Sequence, residues 1–330
     1  MIREQSQLDY DPTDKLEQWI REELPKQYKE QTDVLHNLGL LDLLYKTPEG
    51  AKGIVGIDKQ EYPLPTIQDI EKNIRENKEM YKEKIEQFSN PDTKEAPKLL
   101  ITPFALPLEV LVNKLKETLL KHHQENKLLA TKVNSDDQDE SLELDENQPV
   151  WFWDGWTEKN TVYFPKQLEK DNHDGKTKQE ILTKQRENNS PFAGYLVSLT
   201  ESNPNIPREG KGKTIKGRDQ IEAGKTPNEY MGMLKNDSQY QQERPKTLED
   251  WLTQISTRLE QKNEVIDDYS GNGSASYCPA SFNPSSCCVG CAYWDRSVRR
   301  AFVNRRSPDY RCDNDGLSSA VGVDGLKFEN

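Results

Sequence analysis

Long apolar segments are missing from this sequence. Hydrophobic residues make up only 33% of its 330 positions, whereas charged residues make up 31%. No apolar run approaches the roughly 20 residues that a membrane-spanning helix needs, and the N-terminus lacks a basic stretch followed by an apolar one. We therefore expect a cytoplasmic protein without membrane insertion and without structural disulfides.

Positive charge is also scarce. Acidic residues outnumber basic ones, and the formal net charge is −12. A surface that binds nucleic acid through its phosphates needs clustered Lys and Arg side chains. The charge balance therefore argues against nucleic acid as the main partner.

Histidine is nearly absent, with four in the chain and none after His173. A structural zinc site typically uses two Cys-x-x-Cys pairs, or one pair and two histidines. A catalytic thiolate needs a nearby base, which this part of the sequence does not supply. The cysteines include only one such pair, so a zinc-binding interaction module stays open as an alternative with an incomplete ligand set. Its candidate ligands are Cys278, Cys287, Cys288, Cys291 and Cys312.

The segment EGKGKT looks like part of a phosphate-binding loop. That loop needs a Gly, then four intervening residues, then Gly-Lys-Ser/Thr, because backbone amides must wrap the phosphates. Before Gly212-Lys213-Thr214 the required position is Pro207, which has no amide hydrogen. We therefore expect a basic, solvent-exposed loop.

The chain divides at the polar segment SNPDTKEAP (89–97), which is typical of a linker. Residues 1–95 are acidic and carry amphipathic helical patterns. Residues 97–326 begin with a strand pattern followed by a helix pattern, a common start for an α/β unit. We expect an N-terminal helical region over 1–95 and a second domain over 97–326.

Capping patterns predict where several helices begin. Thr66 followed by Asp69 predicts one N-terminus, and Thr226 with Pro227 and Glu229 predicts another. Two further helices are predicted from their apolar faces. The first, which Pro25 should end or kink, has Leu16, Trp19, Ile20 and Leu24; the second has Trp251, Leu252, Ile255 and Leu259.

Lysine, glutamate, glutamine and methionine are all missing from Val265 to Leu326, and Trp294 is the only tryptophan there. None of these five amino acids can be encoded by a codon that ends in a pyrimidine, whereas the other fifteen can. A Gly- and Ser-rich region with short strands and many loops would explain part of the deficit. It does not explain why every basic residue in the stretch is Arg.

The segment WDRSVRRAFVNRRSPDYRCDNDGLSSAVG (294–322) resembles the C-terminal signature of C-type lectin folds of the formylglycine-generating-enzyme type. More specifically, it resembles the variable proteins of diversity-generating retroelements in bacteria, notably cyanobacteria. Upstream segments such as ENQPVWFWD and VIDDYSGNGS are similar too, so the resemblance covers roughly residues 97–322. The matching C-terminal residues are Trp294-Asp295, Arg299, Ala301, Pro308-Asp309, Arg311, Gly316 and Ser319-Ala320-Val321.

The resemblance implies a mechanism for the unusual composition. In that family a reverse transcriptase copies a template repeat and mutates its adenines, so Asn codons AAC and AAT become any codon ending in C or T. That process can produce fifteen amino acids, and every residue of the stretch except Trp294 is one of them. The cysteines then need no chemical purpose, because they are outcomes at template Asn codons.

The resemblance also implies an α+β, C-type lectin-like fold with an N-terminal helical extension, and a variable region at about 269–322. Its function would be non-catalytic binding of an unidentified ligand, expected to be a protein, without a cofactor. The expected contacts are Tyr277, Phe282, Val289, Tyr293, Arg296, Ser297, Val298, Phe302, Asn304, Arg306, Ser307, Tyr310, Asp313 and Asn314. The expected scaffold is Trp294 as packing anchor, Pro308, Gly316 at a backbone turn, and Asp295, Arg299, Asp309 and Arg311 as buried or half-buried charged pairs.

An oxidase of the formylglycine-generating type is a second reading of the same resemblance. Those enzymes hold copper with two cysteines five positions apart. The family pattern places that pair near Gly290 and Asp295, and neither is Cys. The resemblance therefore favours the scaffold without the oxidase chemistry.

Overall fold

The computed structural model describes residues 14–44, 52–90, 92–132, 139–271 and 273–324. The start of the predicted N-terminal region and the last two residues of the predicted domain, 325 and 326, lie outside these ranges. So do residues 134–138 of an acidic segment that the sequence predicts to be a loop.

The first helix is continuous through the proline that was expected to end or kink it. Helix α1, Lys15–Gln18, passes through a π-helical turn, Trp19–Glu23, into α2, Leu24–Asn37. Pro25 occupies the first turn of α2, where its missing amide hydrogen costs little. The predicted apolar face is confirmed, because its four side chains are all at most 3% exposed.

A small antiparallel sheet that the sequence did not reveal follows: β1, Asp42–Leu43, β2, Lys52–Val55, and β3, Glu61–Pro63. Next come α3, Ile67–Glu76, and α4, Lys78–Phe88. The predicted capping box is confirmed: Thr66 accepts a hydrogen bond from the Asp69 amide, and the Asp69 side chain accepts one from the Thr66 amide.

The remaining helices and strands form two larger sheets and their cover. The predicted capping box at Thr226 is confirmed, as is the inward face of the helix that contains Trp251. In chain order the elements are β4 Lys98–Thr102, α5 Leu108–Gln124, β5 Val150–Phe152, β6 Val162–Tyr163, α6 Lys178–Glu187, β7 Leu196–Thr200, β8 Thr214–Ile215, β9 Arg218–Asp219, α7 Pro227–Asn236, β10 Glu243–Pro245, α8 Leu248–Lys262, β11 Ala275–Asn283, β12 Cys288–Asp295, β13 Arg300–Arg306, β14 Asp315–Leu317 and β15 Ser319–Gly322.

The two larger sheets give the chain a mixed α+β architecture. One has the strand order β10-β15-β7-β4, so the last described strand lies between earlier ones. The other, here called the C-terminal sheet, has the order β14-β11-β12-β13-β5, with β6 paired to β11. Strands β8 and β9 form a separate hairpin.

The expectation of short strands after residue 269 was wrong. Strands β11, β12 and β13 contain nine, eight and seven residues and are the longest in the described chain. Their Ser, Gly and Ala residues suggested loops, but small side chains also allow close packing beneath a helix. A Cβ atom on Gly290 of β12 would lie only 2.8 Å from Leu248 of α8.

The C-terminal sheet separates two hydrophobic cores. Side chains alternate across its strands, so Ala292 and Trp294 face the main core, whereas Cys291 and Tyr293 face a smaller one. The main core also contains N-terminal side chains such as Leu16. The boundary proposed near residue 95 stays a prediction, although residues on both sides of it share this core.

The segment Glu243–Asp250, here called the charged segment, lies inside the protein although it contains five charged side chains. Each of the five is at most 2% exposed. Glu243 bonds to Lys84 Nζ of α4 at 2.8 Å and to Arg218 Nε of β9 at 2.7 Å. Burial alone would raise the pKa of Glu243, but Arg218 lowers it below its usual value.

Three of the other four charges are paired in the same way, whereas Lys246 is hydrogen-bonded to neutral groups. Arg244 Nη1 lies 2.7 Å from Asp250 Oδ2, and Asp250 also accepts a hydrogen bond from Thr102 of β4. Lys246 donates to Gln254 and to Ser318. Glu249 accepts hydrogen bonds from Tyr163 Oη at 2.6 Å and from Lys178 Nζ at 3.0 Å. Buried charges require such partners, so the charged segment fixes the elements around it.

Two glutamines close the free edge of β4. Gln27 Oε1 accepts the Leu99 amide at 2.7 Å, and its Nε2 donates to the Pro97 carbonyl at 3.0 Å. One turn later, Gln31 Oε1 accepts the Ile101 amide at 3.3 Å. An exposed strand edge can pair with other chains, so α2 protects this one.

No helix of the described ranges is both long and apolar enough to cross a membrane.

Replacing Gln27 with Ala should destabilise the fold, because the buried Leu99 amide would lose its acceptor. We expect the free energy of unfolding in urea to fall by roughly 1–3 kcal/mol. Lys26→Ala is the matched control, since Lys26 is the exposed neighbour on the same helix. Equal stability of the two variants would contradict this role for Gln27.

Candidate ligand-binding surface

Four aromatic rings cross one face of the C-terminal sheet, here called the aromatic row: Trp151, Phe302, Tyr293 and Tyr269. Neighbouring ring centroids are 5.8, 5.0 and 5.2 Å apart in that order, and Phe302 and Tyr293 are stacked with an interplanar angle of 10°. Tyr293 is buried, whereas the other three rings are half-buried. The row is thus a rigid apolar strip with accessible ring edges.

Arg306 connects the aromatic row to a loop after β13. Its guanidinium lies 5.8 Å from the Tyr293 ring centroid and 5.2 Å from that of Tyr310. Its Nε also lies 3.1 Å from Oδ2 of Asp315, which is 1% exposed. Burial raises the pKa of Asp315, and Arg306 offsets only part of that rise. Arg306 therefore supports the surface by neutralising a buried carboxyl group.

A recess of about 850 Å³ adjoins Arg306. Most of its lining comes from the β11–β12 turn and from the end of β13 with the following loop. Arg305 stacks on Trp153 at 4.6 Å from the ring centroid and leaves its guanidinium exposed beside the recess. The recess and the aromatic row meet at Arg306 and together form the candidate surface. The lining residues include Lys170, Asn228, Ser286, Cys287, Asn304, Arg305, Arg306 and Ser307.

Four of the predicted contacts are corrected by their burial: Tyr277, Phe282 and Val289 are 0% exposed and Tyr293 is 7% exposed. All four side chains lie in the smaller core, on a part of the sheet face that is covered. Tyr230 of α7 lies against Tyr277, with ring centroids 6.1 Å apart. These side chains can shape the surface from below, but they cannot touch a ligand directly.

The other predicted contacts lie in two groups at opposite ends of β13. At the β12–β13 turn, Ser297 and Val298 are exposed, while Arg296 pairs with Asp268 and Glu140. Around the far end of the strand are a half-buried set and an exposed set. The half-buried set is Phe302, Asn304, Arg306 and Asn314; the exposed set is Ser307, Tyr310 and Asp313.

The predicted scaffold is correct only in part. Trp294 is fully buried in the main core, and Pro308 is buried. Asp295 is half-buried; burial raises its pKa, but hydrogen bonds from Ser270 and Ser297 lower it below its usual value. Gly316 lies within β14 rather than at a turn, and a Cβ atom there would come 2.6 Å from Ile206.

Three expected buried charges are exposed instead. Arg299 has a φ of +58° at the β12–β13 turn, which points it away from the core. Arg311 pairs with Glu229 on the surface, and Asp309 accepts a hydrogen bond from Asn228 at 2.8 Å. The physical reason is their location in turns and loops, where charged side chains stay in water.

The cysteines do not converge. All five are free thiols, and Cys278 and Cys291 face opposite sides of the same sheet. No group of three or more His, Cys, Asp or Glu in the described ranges could hold a metal ion. The zinc alternative therefore gains no support from this geometry.

The amides of the basic EGKGKT loop are already bound to a carboxylate of the same chain. The amides of Gly210 and Gly212 both donate to the Glu222 carboxylate, at 3.0 and 2.5 Å. A phosphate group would have to displace that carboxylate. This arrangement agrees with the expectation that Pro207 excludes a phosphate-binding loop here.

Sequence reasoning did not identify three residues of the candidate surface. Trp151, Tyr269 and Lys170 lie far from β13 in the chain but join the candidate surface. The aromatic segment VWFWDGW was a usable signal, since exposed aromatic rings cluster at binding surfaces. Its pairing with β13 could not be seen without the strand register, in which Trp151 lies opposite Phe302.

Replacing Arg306 with Gln should destabilise the protein by about 3 kcal/mol, because Asp315 would be buried without its partner. The matched control is Arg305→Gln, which removes the same charge from the adjacent, exposed residue. We expect that control to cost at most about 1 kcal/mol, since only its stacking on Trp153 is lost. Thermal unfolding of both variants measures the difference, and equal losses would show that Arg306 does not support the surface.

Comparisons with known proteins do not place the chain in a family. No protein-family model matches it, and neither a curated protein nor a solved structure matches at a significant level. Its function must be argued from its own residues and their geometry.

Proposed function

We propose that this protein binds a ligand, without catalysis, through a C-terminal surface diversified by a retroelement. The ligand is a protein, and its contacts are the half-buried rings of the aromatic row, the recess and the exposed loop residues beside them. A C-type lectin-like scaffold of the formylglycine-generating-enzyme type and a cytoplasmic location belong to the same proposal. Its basis is the C-terminal signature between Trp294 and Gly322 and the composition of the stretch that contains it.

One observation carries the proposal: the stretch without Lys, Glu, Gln or Met supplies four of the six strands of the C-terminal sheet. Strands β11 to β13 and the loop after them all fall between Val265 and Leu326. Ala301 and Val303 of β13 are buried, whereas the other residues of the strand are half-buried or, at Arg305, exposed. The stretch whose residues, apart from Trp294, can all be encoded by codons ending in a pyrimidine therefore also contributes to the candidate surface.

The chemistry of the surface suits a protein ligand. Aromatic and Arg side chains are enriched at protein interfaces, where Lys and Glu are depleted. Arg296, Arg300, Arg306 and Arg311 all pair with carboxylates of the same chain. Those charges are not free to bind phosphates, which agrees with the overall charge of −12 and speaks against nucleic acid.

The oxidase alternative fits the geometry less well. The position expected to carry one copper ligand, Gly290, packs so closely on Leu248 that any side chain would require a shift. The other position, Asp295, is held by hydrogen bonds from Ser297. These contacts favour a scaffold role at both positions.

The proposal predicts a near-copy of the 3′ end of the gene close to it, beside a reverse transcriptase gene. Differences between the gene and the repeat should lie at adenines of the repeat. They should include codons for exposed residues such as Ser297, Val298, Ser307 and Tyr310. Sequencing the genomic neighbourhood tests this. A neighbourhood without such a repeat, or differences spread evenly over all four bases, would contradict diversification.

A further inference from the structure

A second cavity lies between the C-terminal end of α4 and the segment 201–220. Its volume is about 710 Å³, which falls within the range typical of small-molecule sites. Apart from Asp268 and Gly273, its lining residues lie outside the compositionally restricted stretch. Apolar side chains contribute to the wall: Phe88, Ile206, Pro207 and Ile215.

The acidic side chains of this cavity are all engaged. Glu201 bonds to Arg218 Nη1 at 2.9 Å and to Gln220 at 2.8 Å. Asp268 is bound by Arg296, and Asp92 is bound by Lys213. These pairs leave no surplus negative charge facing a ligand.

Two cationic side chains of the lining have no carboxylate partner among the described residues. Arg208 uses Nε and Nη2 to bond the carbonyl oxygens of Tyr269, Gly271 and Gly273, at 2.9 to 3.3 Å. Carbonyl groups do not neutralise a guanidinium. Lys211 is exposed in the neighbouring loop. The cavity therefore has an excess of two positive charges.

The loop that carries Lys211 is held in shape from outside the cavity. The Glu222 carboxylate binds the amides on both sides of Lys211, those of Gly210 and Gly212. Lys213 in the same loop is anchored to Asp92. A preorganised wall lowers the entropic cost of binding.

We propose that this cavity binds a small organic dianion, with Arg208 and Lys211 neutralising its charge and the apolar side chains packing on its carbon skeleton. The dianion carries a phosphate ester or two carboxylates. Arg208 favours such groups because its planar guanidinium matches their oxygens. The site goes beyond the proposed protein-binding surface and does not depend on diversification.

Calorimetric titration of the purified full-length protein tests the site. The probes are glucose 6-phosphate and succinate, with glucose as the uncharged comparison, all at one ionic strength. We expect saturable binding of at least one anion and none of glucose, and the two anions distinguish a phosphate from a carboxylate ligand. Absence of saturable anion binding up to about 10 mM, or equal binding of glucose, would overturn the proposal.

Lys211→Gln should weaken anion binding about fivefold or more, because one neutralising charge is lost. The matched control is Lys216→Gln, which makes the same change in the nearby β8–β9 turn, at an exposed position outside the cavity lining where Lys216 pairs with Glu86. It should bind the anion like the unaltered protein. Equal weakening by both variants would show a non-specific charge effect and contradict the site. The genomic repeat is a separate test, so either proposal can fail alone.

Discussion

The pairing of the buried charges between Glu243 and Asp250 is the constraint on which the rest of the structure depends. A buried charge without a partner costs several kcal/mol, so each partner must be in place when the chain folds. Those partners come from α4, β9, β4, α6 and α8, which surround the charged segment. The segment also bonds to the C-terminal sheet, because the Leu248 amide donates to Ser281 of β11 at 3.0 Å.

The two faces of the C-terminal sheet have different roles: the inner face packs against the rest of the fold, and the outer face forms the candidate surface. The inner face of the C-terminal sheet packs on α8 and the main core, with Trp294, Ala301 and Val303 all 0% exposed. The outer face carries the aromatic row, Arg306 and the loop that contains Tyr310. Surface substitutions away from packing features usually change stability little. The outer face of the C-terminal sheet can therefore vary widely if its inner face and the charged segment stay constant. Variation of this kind, through codons ending in a pyrimidine, would produce the composition of the stretch Val265–Leu326.

The sequence predicted local structure well and long-range pairing poorly. The capping boxes at Thr66 and Thr226 and the inward face of α8 depend on residues within a few positions of one another, and all three are confirmed. Lys84 and Glu243 are 159 positions apart, so no local pattern could show that both charges are buried together.

The candidate surface illustrates the same limit. The alternation along β13 is local, but whether Tyr277 or Phe302 is covered depends on α7, which lies elsewhere in the chain. Tyr277 is buried for this reason, because its ring lies against that of Tyr230. The strand lengths were also misjudged, because Gly, Ser and Ala suggest loops unless the packing of α8 against them is known.

The most direct test of the account randomises two sets of six positions with codons ending in C or T and measures the folded fraction by protease resistance. The outer set is Ser297, Val298, Asn304, Arg305, Ser307 and Tyr310; the inner set is Ala292, Trp294, Ala301, Val303, Asp315 and Val321. The account predicts that most outer-set variants stay folded and most inner-set variants do not. Equal losses in the two sets would contradict a fixed scaffold that presents an exchangeable surface.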